Sequence, residues 1–257
     1  MSPPRGVLFT DLDGTLLDFE TYRPSPQAVA ALEDLKRADI MVIPVSSKTA
    51  DEVRPLLYEL GLPGPAVAEG GAVLLRVDGT VDVVGPPRSE LVAVLERLTA
   101  DGWPLRGFSA MDVGEVSRIT GLDAAAALRA MNRLASEPFC TMRTLVEQEP
   151  GELQAAVAAL NAAVVRGGRL WHLMGTGVDK ATGMRRIQAI IGGSGVPTAA
   201  LGDAWNDLPM LAAADLGFLL GDRVEGPSFP EGVVRLPAVG PSGFADGVRR
   251  VLGAWED

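Results

Sequence analysis

The stretch Val7-Leu8-Phe9-Thr10-Asp11-Leu12-Asp13-Gly14-Thr15-Leu16 decides the fold. Four apolar or β-branched residues lead into two carboxylates spaced by two, and a glycine turn follows. Residues i and i+2 of a strand point to one face, so Asp11 and Asp13 emerge side by side at the strand's carboxyl end. In open α/β sheets that end is where ligands bind. Two adjacent carboxylates repel each other and need a cation or a shared proton. A hard Mg²⁺ ion would satisfy them. One carboxylate is then free to attack phosphorus while the other handles a proton.

Outward from this stretch the chain alternates. Pro26 to Asp39 has helical periodicity through Val29, Leu32 and Leu35, with Ser25 as N-cap. Ile40 to Val45 is a second buried strand ending in Ser46-Ser47-Lys48-Thr49, where the serines could cap the next helix. That helix runs from Ala50 to Leu60 and closes on Gly61. Ala66 to Ala68 is a third strand, ending at Glu69-Gly70-Gly71. Strands alternating with helices predict a parallel, doubly wound sheet. Ala72 to Val77 and Val81 to Val84 flank Asp78-Gly79, a hairpin signal. After the hinge-like Gly85-Pro86-Pro87 the pattern changes. Helical stretches (Ser89 to Ala100, Ala124 to Ala135, Glu152 to Val164) alternate with short strands near Phe108, Thr141 and Leu170. The α/β pattern returns with a helix over Lys180 to Ile191, a strand over Thr198 to Leu201, the turn Gly202-Asp203-Ala204-Trp205-Asn206-Asp207, a helix from Leu208 to Ala213 and a strand over Leu216 to Leu220. The expected division is a core of residues 1–84 and 174–257 interrupted by an α+β module of residues 85–173.

The 257 residues are 47% hydrophobic and 22% charged, enough for a well-buried core. A formal net charge of -10 argues against non-specific nucleic-acid binding, which needs a basic surface. The single cysteine, Cys140, excludes an internal disulfide and reads as a small hydrophobe. No apolar run is long enough to span a bilayer, so no membrane partner is expected and a cytoplasmic protein is the default. Only Lys36, Lys48 and Lys180 are lysine among 23 basic residues, and the last two fall inside motif-like segments. His172, the only histidine, reads as a satisfied core or interface side chain outside the chemistry.

Asp11-Leu12-Asp13-Gly14-Thr15, Ser46 after the second strand, Lys180 on a helix, and Gly202-Asp203 with Asn206-Asp207 resemble, in order, the four motifs of haloacid dehalogenase-like phosphatases. The resemblance implies a Rossmann-like core with an inserted C2B-type α+β cap. It also implies Asp11 as nucleophile, Asp13 as acid and base, and Lys180 as their catalytic companion. Phosphate would be held by Asp11, Gly14, Ser46, Lys180 and Asn206. Mg²⁺ would sit among Asp11, Asp13 (through its backbone carbonyl), Asp203 and Asp207. Asp-Gly by itself is a common turn; preceded by a buried strand and Asp11, it reads as catalytic.

The segment Ser46-Ser47-Lys48-Thr49 with Glu52 is similar to the second motif of mannosyl-3-phosphoglycerate phosphatases. So are Arg106-Gly107-Phe108, Met111, Glu115, Thr120-Gly121-Leu122, Glu137-Pro138, Gly168-Arg169 and His172 to Gly175. The implied partner is a small phosphorylated sugar acid. Ser47, Lys48, Arg106, Arg133 and Arg143 would meet its polar and acidic groups, and Glu69 and Glu137 would accept from sugar hydroxyls. Arg143, beside a strand and near Glu137, is the favoured cap contact. Two positions depart from the pattern: Gly70, where relatives carry asparagine, and Ala204-Trp205, where a small polar and a non-aromatic residue are common. Other readings are a broad-range sugar-phosphate phosphatase, a relative of phosphomannomutase, and a non-catalytic phosphosugar-binding regulator. Retention of both Asp11 and Asp13 argues against the last.

Overall fold

The computed structural model describes residues 4–167, 170–193, 195–224 and 229–256. The elements are β1 (Gly6–Thr10), α1 (Pro26–Arg37), β2 (Ile40–Pro44), α2 (Ala50–Glu59), β3 (Ala66–Ala68), β4 (Val73–Leu75), β5 (Val81–Val83), α3 (Arg88–Ala100), β6 (Leu105–Gly107), α4 (Val113–Thr120), α5 (Ala124–Met131), β7 (Glu137–Thr141), α6 (Glu149–Ala158), β8 (Ala162–Arg166), β9 (Trp171–Gly175), α7 (Lys180–Ile190), β10 (Thr198–Gly202), α8 (Leu208–Ala213), β11 (Leu216–Leu220), β12 (Val233–Leu236) and α9 (Gly240–Trp255).

Five strands form one parallel sheet in the order β12-β11-β10-β1-β2. All of β1 is buried because both faces of the sheet are covered, which is why its sequence is a continuous apolar run. Leu8 points into a cluster with Leu32 and Leu35 of α1 and Phe244 and Val248 of α9. Val7 and Phe9 point the other way, onto Met184 and Ile187 of α7 and Met210 and Leu211 of α8. The fold is therefore a doubly wound α/β core, with β1 an interior strand between β10 and β2 and its carboxyl end facing a cleft. A four-stranded antiparallel sheet, β6-β7-β9-β8, carries α3 and α6 as its α+β partners around Leu95, Leu98, Phe139 and Leu153.

Several elements differ from the sequence reading. Strand β3 does not extend the parallel sheet. It pairs antiparallel with β4, which pairs with β5, and meets the end of β2 through a parallel bridge from Val45 to Val67, where Ser46 N donates to Val67 O. Helix α5 stops at Met131 rather than Ala135, because the N–H groups of Leu134 and Ala135 donate to the Glu69 carboxylate instead of continuing the helix. The helix expected over Glu152 to Val164 ends at Ala158. Asn161 then turns in the left-handed region and Val164 and Val165 enter β8. Helix α4 was hidden by its brevity, although Asp112 and Glu115 form a capping box. Strand β12 and helix α9 were also unread. Ser25 does cap α1, whereas α2 is capped by Thr49 with Glu52, not by the serines.

Candidate active site

The cleft floor is made of loops that leave the carboxyl ends of β1, β2 and β10. Asp11 follows β1 and is buried, and its backbone N–H donates to Leu201 on the neighbouring β10. Asp203 follows β10, so the parallel pairing of these strands places the two carboxylates across from each other. Lys180, the first residue of α7, is 2% exposed. Its Nζ donates to Asp11 Oδ1 at 2.6 Å and also to Asp207 Oδ1. The other oxygen of Asp207 accepts from the backbone N–H groups of Asp203 and Ala204, at 3.0 and 2.9 Å, and so fixes the turn that carries Asp203. Gly14 has φ +86, and a Cβ there would lie 2.5 Å from Asp203 Oδ2; only glycine permits this approach. Asp13 stands beside Asp11, held by Lys48 Nζ at 2.7 Å from its Oδ2. Ser46 is buried at the end of β2, where its Oγ accepts from Lys48 N. Ser47 and Lys48 form the cavity wall beside it.

The electrostatics of this floor call for a cation. Burial raises the Asp11 carboxyl well above its usual range; Lys180 opposes the shift, and Asp207 and Asp203 add to it. Burial and then the like charge of Asp207 lift Asp203 to about 6, against the pull of Arg223 and Lys180. Burial by itself would lower Lys180, but the charges of Asp11 and Asp207 hold it above the ordinary lysine value. One oxygen from each of Asp11, Asp203 and Asp207 lies within 4.8 Å of the others. Asp13 Oδ1 and Asn206 Oδ1 are buried without a hydrogen-bond partner. Carboxylate and amide oxygens crowded in this way suit a hard divalent ion such as Mg²⁺, which takes oxygen ligands and keeps several waters.

The roof comes from the segment between β5 and α7, around the β6-β7-β9-β8 sheet. A cavity of about 120 Å³ is bounded below by Asp11, Asp13 and Asp203 and above by Phe108, Arg133 and His172. Arg133, Ser47 and Lys48 are therefore brought together; the Arg133 guanidinium donates to Ser47 O at 2.6 Å. Four expected substrate contacts are placed elsewhere. Glu69 is buried and fully used, accepting from Leu134 N, Ala135 N and Ser136 Oγ at 2.8, 3.0 and 2.6 Å. It ties the module to the core instead of facing sugar hydroxyls. Glu137 is buried too, accepting from Arg88 Nε at 2.7 Å and Ser109 N at 2.7 Å. Arg106 pairs with Glu115 at 2.7 Å. Arg143 is exposed and pairs with Glu149 at 2.6 Å, away from the cavity wall. Gly168 and Arg169 lie outside the described residues.

The structure adds residues that the sequence reading passed over. Arg223 donates to Asp203 Oδ2 at 2.9 Å and stacks over Phe19 at 4.2 Å. It follows β11, and the rule that ligands meet strand carboxyl ends could have pointed to it. Tyr22 also lines the cavity, beside Glu52 of the second motif. His172 faces the site, and burial followed by the charges of Arg133 and Lys180 lowers its value to about 3. It is a neutral wall residue there. Cys140 is half-buried, with Sγ near the carbonyl of Arg106.

Comparison with known proteins joins these observations. The profile of haloacid dehalogenase-like hydrolases matches residues 8–84 and 130–225. A glucosyl-3-phosphoglycerate/mannosyl-3-phosphoglycerate phosphatase of Persephonella marina is 30% identical over 268 residues, covering 96% of this chain and 97% of its own. A protein of the same description from Methanococcoides burtonii is 32% identical over 272 residues, with 96% and 97% covered. Among solved structures, a haloacid dehalogenase-like hydrolase from B. subtilis superposes with a TM-score of 0.71 at 18% identity, covering 96% of this chain and 100% of that one. The HAD subclass IIB sugar phosphatase BT4131 gives 0.71 at 19%, with 97% and 98% covered. At such identities the structures speak for the fold. The matched segments contain the aspartate loop, Lys180 and the Gly202–Asp207 turn, and this chain belongs to the haloacid dehalogenase-like hydrolases.

Proposed function

We propose that this phosphoric monoester hydrolase removes phosphate from mannosyl-3-phosphoglycerate or its glucosyl analogue, with Mg²⁺, and so yields a glycosylglycerate that serves as a compatible solute. The observation that carries the chemistry is Lys180 Nζ bonded to Asp11 Oδ1 at 2.6 Å, in the oxygen cluster that Asp203 and Asp207 complete. The substrate class rests on relatives so described that align over nearly the whole chain, module included. Residues 85–173 act as the cap that selects the leaving group.

In this reading an Asp11 oxygen attacks phosphorus as the ester P–O bond breaks, forming an aspartyl-phosphate. Asp13 gives its proton to the departing glycerate oxygen. Asp13 then takes a proton from water as that water attacks phosphorus, which releases orthophosphate and restores Asp11. Lys180, Ser46 and Asn206 hold the transferring oxygens and stabilise their charge. Arg133 and Lys48, at the cavity wall, meet the glycerate carboxylate. Asp11, Asp203, Asp207 and the Asp13 carbonyl would hold Mg²⁺, which when bound offsets the repulsion between carboxylates and phosphate. His172 and Phe108 close the roof and exclude water from the floor.

Phosphate release from a panel of glycosyl-phosphoglycerates and simple sugar phosphates tests this directly. The expected result is preference for the glycosyl-phosphoglycerates, loss of activity with chelator, and recovery with Mg²⁺. Full activity in chelator, or uniform rates across the panel, would overturn the corresponding half of the proposal.

A further inference from the structure

Beyond the catalytic cavity the cleft opens into a groove of about 650 Å³, between the loop after β1 and α2 on one side and the α4–α5 turn on the other. Tyr22, Lys48, Glu52 and Leu122 line both spaces, so the groove is continuous with the cavity. We propose that this groove is the subsite for the neutral sugar of the leaving group, with Tyr22 as its specificity-determining wall. The inference rests on the glycosyl-phosphoglycerate reading above and assigns the part of the molecule that meets the sugar.

Three observations carry it. The first is direction. Asp13, which protonates the leaving oxygen, lines the catalytic cavity, so the leaving group departs on that side. Lys48, whose Nζ holds Asp13 Oδ2 at 2.7 Å, lines the groove, whereas a second cavity of about 230 Å³, lined by Lys180, Asn206, Val165 and Trp205, has neither Asp13 nor Lys48 in its wall and sits on the side of the transferring oxygens. The second is charge. The groove is edged by Arg23, Lys48 and Arg129 and by Glu52, Glu59 and Asp123, three of each sign. Such a balance supplies donors and acceptors for hydroxyls without selecting an anion. In the catalytic cavity Lys48, Arg133 and Arg223 stand with Asp11, Asp13, Glu52 and Asp203, and the reading above gives Lys48 and Arg133 to the glycerate carboxylate there.

The third is the construction of the throat. Tyr22 has φ +57, a left-handed backbone that a bulky residue rarely adopts. The turn that holds it there is tightly bonded: the Asp18 carboxylate accepts from Glu20 N, Thr21 N and Thr21 Oγ1 at 3.1, 2.9 and 2.9 Å. Asp18 O accepts from Tyr22 N and Asp18 N donates to Arg23 O. The result sets the aromatic ring against Lys48, whose Nζ lies 4.8 Å from the ring centroid. Strain held this firmly at a cleft points to a positioned side chain. An aromatic wall beside a polar groove suits the apolar face of a pyranose, with its hydroxyls turned to the charged rim.

The test compares kcat/KM for mannosyl-3-phosphoglycerate and for 3-phosphoglycerate, which lacks the sugar, in the full chain with Mg²⁺. Ala126→Trp fills the groove from α5. It should lower kcat/KM on the mannosyl ester about tenfold more than on 3-phosphoglycerate, the scale of one lost pocket contact. Tyr22→Ala should shift the ratio in the same direction, and Tyr22→Phe should restore it if the ring is what matters. Val165→Trp, which fills the second cavity, should leave the ratio where it was. If the wild type prefers the mannosyl ester yet Ala126→Trp and Tyr22→Ala lower both substrates equally, the subsite is wrong and the substrate reading stands. Loss of preference in Val165→Trp instead would move the sugar to the Lys180 side and overturn the proposal. A wild type with no preference for the mannosyl ester would overturn both readings. Should Ala126→Trp fail to fold, as seen by circular dichroism, the Tyr22 pair decides.

Discussion

The floor and the roof of one cleft are built by different rules. On the floor, each clustered charge sits at a strand end or helix start, and buried neighbours fix its direction: Asp11 after β1, Asp203 after β10, Lys180 opening α7. In the roof, charged side chains of the inserted module choose among partners, and most choose one another. Arg106 takes Glu115, Arg143 takes Glu149, and Arg88 takes Glu137. The comparison teaches that a carboxylate at a strand end is placed by the backbone. A guanidinium on a small module is placed by whichever acid it reaches first.

The strongest way to break this contrast is on the floor. Asp11→Asn keeps the shape but removes the proposed nucleophile, and turnover should fall by at least about 10³-fold, on the order of 4 kcal/mol. Steady-state phosphate release from protein free of wild-type enzyme measures it; a loss below about tenfold would mean that another group attacks phosphorus.

Glu69 sharpens the comparison, because it belongs to the core yet serves the roof. It has φ +48, is 1% exposed, and fastens residues 134–136 of the module. Glu69→Gln should lower the unfolding free energy by about 2 kcal/mol, since one charged acceptor for three donors becomes a neutral amide. Urea denaturation reads this. A change under about 0.5 kcal/mol would show that the fastening contributes little.

The next effect depends on acid. His172 ionises in the folded protein only near 3, against an ordinary value of 6.5. Between those values the unfolded chain takes up a proton that the folded chain refuses. Stability is therefore untouched above pH 6.5 and falls as the pH drops through this window, by about 2 kcal/mol at pH 5. His172→Gln should flatten the difference between pH 7 and pH 5 by that amount in paired denaturation curves. Curves that stay parallel would mean that the imidazole is accessible to solvent.

Arg143 should give the smallest effect. Exposed and paired with Glu149, it has no place on the cavity wall. Arg143→Ala should change kcat/KM on a glycosyl-phosphoglycerate by no more than about twofold. A loss of tenfold or more would return this residue to the substrate, as its sequence position had suggested.

The same contrast explains what could be read without coordinates. The doubly wound core was legible because β1, β2 and β10 are continuous apolar runs covered on both faces, each ending in a polar loop. The spacing Asp11-x-Asp13 and the turn Gly202 to Asp207 carry their geometry with them. The roof was not legible in that way. Glu69 and Glu137 carry the chemistry of hydroxyl acceptors, but their oxygens are taken by N–H groups and by Arg88, far away in sequence. The ends of α5 and α6 were overread because their sequences stay compatible with a helix. Tertiary bonds to Glu69 end the first, and a left-handed Asn161 ends the second. Arg223 was missed because its role comes from the strand before it and from no motif of its own.

The strand order has a consequence for how the protein is made. β1 is paired on one side by β2, only thirty-odd residues later, and on the other by β10, with Val7 beside Thr198. At roughly 5–20 residues per second, a ribosome takes on the order of 10–40 s to travel between those partners. Throughout that interval the Asp11 loop exists without its opposing carboxylates. The β6–β9 sheet, complete by Gly175, emerges whole in the meantime. The nascent chain thus carries a finished roof over an unfinished floor, and catalytic competence arrives only with the last third of synthesis.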